Sequence, residues 1–401
     1  MTGPCPETDE WLSDDPINPD NPALDLLDRR GFAESSIAML ERLRAQSESS
    51  VVGLIGPWGA GKSSVLNMIR SGITDLDSSW TVVDFNPWNY QDLPSLQTGF
   101  FTELHAALPS GPKWKTARDA LSKIGRRVAP LGTLGSFLGF DAEKAIQSFA
   151  DLIAGDESLA SARQEAEDAL RSASQPVLMI VDDLDRLAPE ELLLVFKLIR
   201  LTGRLPHIYY LVSYDEDTLL DALSRTGLVG NDDPRRAVDY LEKIVQIRLD
   251  LPPLREHQVS AWVDNALNSF AQRFGFSLGT EDISRFSGAY HAHIRTRLST
   301  PRSIKRYFSQ VEAFFEPVKN EVDIVDFLLI TWIRTAEPLV YELVAARGAD
   351  LLGKEWSARS VLGKEDPKAR KEVWLSRLRG PSSRREPRRN RRCSRPAFPA
   401  V

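Results

Sequence analysis

Short apolar runs alternate with helical patterns in the first part of the chain. A run that is apolar at every position is typical of a parallel strand covered by helices on both faces. Helical patterns at Lys62–Ser71, Ser95–Leu108 and Glu190–Leu201 separate these runs. We therefore predict an α/β fold, a mainly parallel sheet with flanking helices, built on strands Val51–Ile55, Trp80–Phe85, Val177–Val181 and Ile208–Val212.

Beyond Pro252 the strand patterns give way to helical ones. The predicted helices are Val259–Phe274, Thr280–Tyr290, Pro301–Phe315 and Val322–Ala345, which together predict a helical lid domain. The predicted organisation is an extended lead-in (1–22), a core (23–251) with an insertion (109–174), the lid (252–345), a C-terminal helical extension (346–379) and a disordered Arg-rich tail (380–401).

The insertion at 109–174 contains the one segment for which the sequence suggests contact with a membrane. Its last part, Ser158–Ala173, has the composition of an amphipathic helix. The stretch Val128–Phe140 is apolar, but it is broken by Gly and Pro and falls short of the roughly 18 residues of a membrane span. We expect a buried or surface-dipping loop and helix there, with peripheral contact to a membrane as the alternative.

Composition and charge narrow the class of protein. With 42% hydrophobic and 26% charged residues, the chain has the composition of a soluble globular protein. Residues 377–401 carry nine Arg and one Glu, so the rest of the chain has a net charge of −14, against −6 for the whole. This acidic body argues against nucleic-acid binding other than through the tail. The positions of Cys5 and Cys393 indicate neither a disulfide framework nor a zinc site, and no signal-peptide pattern is seen, so we expect a cytoplasmic protein.

The segment GPWGAGKSS matches the phosphate-binding pattern G-x-x-x-x-G-K-[ST] between a predicted strand and a predicted helix. Its glycines let the backbone curl so that N–H groups point at phosphate oxygens, and the helix adds the positive end of its dipole. We expect Lys62 to reach the β- and γ-phosphates of ATP and the Ser63 hydroxyl to bind Mg²⁺. The predicted nucleotide-binding residues are Gly56, Pro57, Trp58, Gly59, Ala60, Gly61, Lys62, Ser63 and Ser64.

Acidic residues follow the apolar strand Val177–Val181. Asp182 is expected at the carboxyl edge of the sheet, where it would bind the Mg²⁺ ion that bridges the phosphates. Asp183 is the candidate for activating the attacking water. Asp185 and Arg186 are expected either to cap the following turn or to pair with each other. Together with the glycine-rich loop, these acids indicate an ATPase.

Ser213 and two tryptophans lie near the same predicted edge. Ser213 comes directly after the fourth predicted strand, where related ATPases place a polar residue that senses the γ-phosphate; a simple strand-end cap is the alternative. Trp58, inside the loop, and Trp88, after the second strand, are expected to pack against the protein rather than to stack on a nucleobase.

A basic cluster opens the predicted helix Pro301–Phe315. Thr300 is predicted to cap this helix, which places Arg302, Lys305 and Arg306 on one face. That face either swings onto the phosphates, with Arg302 in a catalytic role, or is solvated or salt-bridged.

Together these motifs resemble the KAP family of P-loop ATPases. The resemblance is carried by GPWGAGKSS, DFNPWNYQD, VDDLDR, the strand ending in SYDED, and TPRSIKRYF, across about residues 15–340. It implies an ASCE-type parallel core with the acidic strand in the centre, followed by a helical domain. Many members carry transmembrane helices between the two nucleotide motifs, and the lack of such a span here favours a soluble bacterial-type member. The resemblance also implies membrane- or signalling-linked work, or exclusion of phages or plasmids.

These expectations lead to competing functions. The leading hypothesis is an ATP-driven switch that moves the lid and signals to a protein partner. A scaffold that binds ATP for assembly and turns over slowly is the second, and a small-molecule kinase, for which no acceptor-site signature is seen, is the third. The partner is unknown from the sequence. Nucleotide-dependent self-association, with Arg186 acting on a neighbouring subunit, is left open.

Overall fold

A computed structural model describes residues 15–19, 21, 25–45, 48–75, 80–137, 157–173, 175–202, 205–226, 234–346 and 348. The chain divides into two compact units. The first contains the described residues up to Asn265 together with Ser299–Ser303, and the second contains Ala266–Leu298 and the described residues from Ile304 onward. The Arg-rich tail lies outside the described residues, as do most of the lead-in and nearly all of the C-terminal extension.

A parallel sheet forms the centre of the first unit. Its strands are β1 (Val51–Ile55), β2 (Thr81–Phe85), β3 (Val177–Val181), β4 (Ile208–Tyr214) and β5 (Ile247–Asp250), in the spatial order β2-β3-β4-β1-β5. All of the pairings are parallel. The predicted parallel α/β fold is confirmed. Because β4 lies between β1 and β3, the carboxyl ends of these strands are neighbours at one edge of the sheet.

Helices connect the strands and continue after them. They are α1 (Arg30–Arg44), α2 (Lys62–Asp75), α3 (Leu93–Ala107), α4 (Pro112–Phe137), α5 (Glu157–Ala173), α6 (Pro189–Thr202), α7 (Glu216–Ser224), α8 (Pro234–Glu242), α9 (Glu256–Phe274), α10 (Thr280–Ala289), α11 (Pro301–Phe315), α12 (Ile324–Ala336) and α13 (Pro338–Ala346). Short 3₁₀ turns span Pro87–Asn89 and Leu184–Arg186, and a π turn spans Tyr290–Ile294.

The two faces of the sheet bury separate apolar clusters. On one face, Leu54, Leu178 and Leu211 pack with residues of α1 and α2. On the other face, the alternate strand residues pack with α3 to α8. Side chains along a strand alternate between its two faces. Leu178 and Ile180 of β3 lie on the α2 face, so Asp182, which follows β3, lies on that face too.

Four local expectations need correction. β5 was not predicted, because its charged Arg248 and Asp250 alternate with half-buried residues, as is typical of an edge strand. β4 extends two residues beyond Val212, because its pairing with β1 continues to Tyr214. The predicted helix Val322–Ala345 is divided at Glu337, since the residue before a proline disfavours helical backbone.

The fourth correction concerns the insertion. The sequence predicts a loop and a helix in the apolar stretch 128–140, but α4 continues without interruption as far as Phe137, and 138–140 lie outside the described residues. Trp114 and Leu121 of α4 are buried in the core of the first unit. Within the described ranges, no helix combines the length and the apolar character needed to cross a membrane.

An aromatic cluster lies in the second unit. Phe270 is buried, and its ring centroid lies 5.1 Å from that of Phe274, 5.2 Å from that of Phe276 and 4.9 Å from that of Phe315. The rings meet edge to face, the arrangement favoured by the charge distribution of aromatic rings. This cluster joins α9 to α11.

Candidate functional site

The glycine-rich loop links β1 to α2 in a conformation that requires glycine. Gly59 and Gly61 have φ angles of +79° and +95°, a region that residues with a Cβ rarely adopt. Between Pro57 and Gly61 the loop is closed by a hydrogen bond from the Ala60 N–H to the Pro57 carbonyl, at 3.1 Å. The loop therefore curls as a phosphate-binding loop must.

The Lys62 ammonium lies across this loop. Its Nζ donates to the carbonyl of Gly56 at 2.9 Å, and the residue is only 8% exposed. A lysine is rarely so buried without a partner of opposite charge. Because Lys62 is held against the loop by this hydrogen bond, its positive charge lies where a phosphate would bind.

Ser63 and Asp182 meet although they are far apart in the sequence. The Ser63 hydroxyl donates to Asp182 Oδ2 at 2.7 Å, and the other oxygen, Oδ1, accepts from the Asp183 N–H at 2.8 Å. Hydroxyl and carboxylate oxygens are hard ligands of the kind that Mg²⁺ prefers. Since Mg²⁺ at nucleotide sites uses one or two protein ligands and completes its shell with phosphate and water, this pair fits the ion.

Asp183 has an unusual backbone and a charged partner. Its φ is +60°, a conformation that Asp tolerates better than most residues. Arg186 Nε lies 2.9 Å from Asp183 Oδ1, so Arg186 pairs with Asp183 and not, as one expectation had it, with Asp185. Burial raises the pKa of the Asp183 carboxyl and the neighbouring Asp182 raises it further, while Arg186 and Lys62 oppose the rise in pKa.

Two exposed tryptophans flank the site. Trp58 is 61% exposed and Trp88 is 56% exposed, so neither is part of the core, although each ring lies against an arginine of the protein. The Arg302 guanidinium carbon lies 5.6 Å from the Trp58 ring centroid, and that of Arg186 lies 5.1 Å from the Trp88 ring centroid. Both distances are typical of cation–π contacts.

Ser213 lies inside β4 rather than at its end. It is paired with Leu54 of β1, is 0% exposed, and its Oγ has no hydrogen-bond partner within the described part of the chain. By strand alternation its side chain shares the α2 face with Asp182. It cannot cap the strand end, because the strand continues to Tyr214.

Arg302 is brought to the loop by residues that fold with the first unit. Thr300 Oγ1 accepts from the Ser303 N–H at 3.2 Å, which confirms the predicted cap of α11. The Arg302 N–H donates to the Gly59 carbonyl at 3.3 Å. Lys305 and Arg306 belong to the second unit, so their predicted contact with phosphate stays a prediction.

Two further contacts at the loop were not foreseen from the sequence. The Ile17 N–H donates to the Ser64 Oγ at 3.2 Å, so the lead-in touches the start of α2. The Trp58 N–H donates to Asp215 Oδ2 at 2.8 Å. The only sequence signal for the second contact is the acidic residue between the end of β4 and the first turn of α7, a position that favours a helix cap.

Comparison with known proteins places this site in a family. Residues 29–316 match the model of the KAP family P-loop domain. The chain is 26% identical over 345 residues to the "Phage T7 exclusion protein" of Escherichia coli (strain K12), covering 79% of this chain but only 45% of that protein. The chain thus spans less than half the length of this relative.

Solved structures with some similarity include the Aeropyrum pernix ORC2 protein in ADPNP–ADP complexes, at a TM-score of 0.42, 14% identity, 93% coverage of this chain and 89% of that chain. Another is Cdc6p from Pyrobaculum aerophilum, at a TM-score of 0.36, 15% identity, 76% coverage of this chain and 66% of that chain. Because the family match covers most of the sequence and includes the glycine-rich loop, the chain belongs to the KAP family of P-loop NTPase domains.

Proposed function

We propose that this chain binds ATP with Mg²⁺ and hydrolyses it, and that the cycle works as a switch. The observation that carries the proposal is the 2.7 Å contact between Ser63 Oγ and Asp182 Oδ2, beside a loop that holds Lys62 over Gly56. A hydroxyl, a carboxylate and a buried ammonium around a curled glycine-rich loop are the groups that a Mg²⁺-nucleotide requires.

Each group has a separate part in binding. Ser63 and Asp182 would hold Mg²⁺, which supplies neutralisation of the phosphate charge when it is bound. Lys62 would exchange its hydrogen bond with the Gly56 carbonyl for the β- and γ-phosphate oxygens. The N–H groups of the loop, opened by the positive φ angles of Gly59 and Gly61, would complete the cradle.

Asp183 would accept the proton in the chemical step. Arg186 engages Oδ1 of Asp183, which leaves Oδ2 to accept a hydrogen bond from the attacking water. As the water oxygen bonds to the γ-phosphorus, the bond to the β,γ-bridging oxygen breaks and ADP leaves with that electron pair. The water proton passes to the carboxylate, as in general base catalysis. Ser213, buried on the same face as Asp182, would sense the γ-phosphate.

Arg302 would connect the nucleotide to the rest of the protein. Its backbone bonds Gly59 and its guanidinium lies over Trp58, so a phosphate entering the loop would compete for this side chain. α11 begins at Pro301 beside the loop and continues into the second unit. A change at Arg302 would therefore be carried along a helix, which is a rigid element.

Steady-state phosphate release from ATP, with Asp183→Asn as the comparison, tests hydrolysis. We expect turnover by the wild type and a loss of at least about a hundredfold in the variant, as for other general bases. Equal near-zero rates, with ATP still bound, would instead favour the alternative of a slow-turnover assembly scaffold. Repeating the assay with GTP tells which base the site prefers.

The E. coli relative suggests a biological setting. This relative is named for exclusion of phage T7, so we propose a role in defence against phage for this chain as well. Expressing the chain in a phage-sensitive bacterium should lower the plating efficiency of the phage, and Lys62→Ala should restore it. Equal plating with both forms would remove this role without touching the proposal of ATP hydrolysis.

A further inference from the structure

The hydrogen-bond ladder of the sheet continues into the glycine-rich loop. The last pair of the β1–β4 ladder is Ile55 with Tyr214, and the next residue, Gly56, still donates its N–H to the Tyr214 carbonyl at 3.2 Å. Pro57 follows and has no N–H to donate. The backbone ladder must therefore end at this point.

A side chain accepts the next hydrogen bond in place of the backbone of β4. The next available donor is the Trp58 N–H, and it is accepted by Oδ2 of Asp215, the first residue after β4, at 2.8 Å. A hydrogen bond to an ionised acceptor is stronger than one between neutral groups. Asp215 thus fixes the peptide that leads into Gly59, where the loop turns to positive φ.

The side chain of Trp58 does not fix this residue. Its indole is 61% exposed, and its contact with Arg302 is a cation–π contact at 5.6 Å. Contacts of this kind at exposed sites contribute little. The Pro57–Trp58 peptide is therefore held by two hydrogen bonds: its carbonyl accepts from the Ala60 N–H within the loop, and its N–H donates to Asp215 at the end of β4.

Asp215 is itself held in place. Its Oδ1 accepts from the Thr218 N–H at 3.0 Å, so the same carboxylate caps α7. The next residue, Glu216, pairs with Arg248 of β5, at 3.0 Å between Oε2 and Nη2. The first turn of α7 is thus bonded to β5 as well as connected to β4, and these contacts fix the position of the Asp215 carboxylate.

We propose that Asp215 is a positioning residue for the phosphate-binding loop, acting through the Trp58 peptide. Both of its oxygens accept N–H groups, so the carboxylate serves the loop and not a ligand. Its loss removes the bond that ties this peptide to the end of β4, so the loop can turn as a unit and its N–H groups no longer converge on one phosphate. The inference rests on the proposed function for its effect on ATP, but not for its effect on the loop itself.

Asp215→Asn separates the loop contact from the helix cap. Asn and Asp are comparable helix caps, so the Asn oxygen can still accept from Thr218. The amide nitrogen then faces the Trp58 N–H, and two donors cannot bond. Asp217→Asn is the matched control, because Asp217 is exposed in the same first turn and its replacement removes the same charge.

The test combines hydrogen exchange of the Trp58 amide without nucleotide, titration of a fluorescent ATP analogue with Mg²⁺, and steady-state phosphate release for KM and kcat. We expect exchange about tenfold faster in Asp215→Asn and affinity about tenfold weaker, with KM rising more than kcat falls, while Asp217→Asn stays within about twofold of wild type. Both Asn variants should melt near the wild-type temperature.

Unchanged Trp58 exchange in Asp215→Asn would overturn the inference. So would a loss of affinity matched by Asp217→Asn, because the effect would then come from charge and not from position. Wild-type protein that fails to bind the analogue would count against the proposed function instead, and the exchange comparison would still decide the role of Asp215.

Discussion

Replacing Gly59 by Ala should weaken nucleotide binding more than backbone strain alone can. The φ of Gly59 is +79°, so any side chain there costs about 1 kcal/mol in conformation. A Cβ would also lie 2.9 Å from Arg302 Cβ and 3.3 Å from Thr300 Oγ1. Carbon atoms in contact normally lie about 3.5–4.0 Å apart, so the start of α11 would have to retreat by roughly 0.6–1 Å.

This retreat cannot be avoided by rotating a side chain, because the crowded atom is the Cβ of Arg302, which is fixed to the backbone. Overpacking of this kind costs about 1–3 kcal/mol. Strain and overpacking together should lower the free energy of unfolding of Gly59→Ala by about 2–4 kcal/mol. If the loop moves aside instead, we expect a loss of about 2–4 kcal/mol in the free energy of nucleotide binding.

Gly275→Ala is the matched control. Gly275 has φ +71° but no atom within 4 Å of an added Cβ, so only the strain of about 1 kcal/mol should appear. Urea unfolding measures stability, and titration of a fluorescent ATP analogue measures binding. The reasoning is refuted if the two variants lose equal stability and bind the analogue equally well.

Three further predictions follow from charge and packing. Asp182→Asn should remove the Mg²⁺ dependence of ATP binding, so that affinities with Mg²⁺ and with EDTA become equal; a retained difference would contradict the metal ligand. Phe270→Ala should lower the free energy of unfolding by about 3–5 kcal/mol, measured by urea unfolding, because it empties the centre of an aromatic cluster. Burial raises the pKa of Glu312, which Arg273 opposes from 2.5 Å, so Arg273→Ala should leave a carboxylate that is costly when charged. Its destabilisation should thus be larger at pH 8 than at pH 5, by about 1 kcal/mol, whereas Arg285→Ala on the exposed surface should show no such difference.

Local sequence patterns were enough for the central elements of the fold. β1 and β3 begin and end where predicted, because their apolar runs are bounded by Gly56 and Asp182. α11 begins and ends as predicted, because Thr300 caps it and Pro301 fits its first position. Where a charged edge or a partner strand decides the structure, the pattern failed, as at β5 and at the end of β4.

The candidate site was foreseen in its residue types but not in its pairings. The spacing of the glycine-rich loop pointed to Lys62 and Ser63, and the strand before Asp182 pointed to the same edge of the sheet. The partner of Arg186 and the role of Asp215 could not be read from the sequence, because each depends on how the backbone turns after a strand. The Trp58–Asp215 contact joins residues 157 positions apart, which no local pattern contains.

The central claim is that Ser63 and Asp182 hold the metal of a bound nucleotide whose phosphates take Lys62. A crystal structure with Mg²⁺ and a non-hydrolysable ATP analogue tests this most directly. We predict an ion about 2.1 Å from Ser63 Oγ, with Asp182 turned to it and Lys62 moved from the Gly56 carbonyl to the phosphates. A nucleotide bound elsewhere, or bound at the loop with the Ser63–Asp182 hydrogen bond intact and no metal between them, would contradict the account.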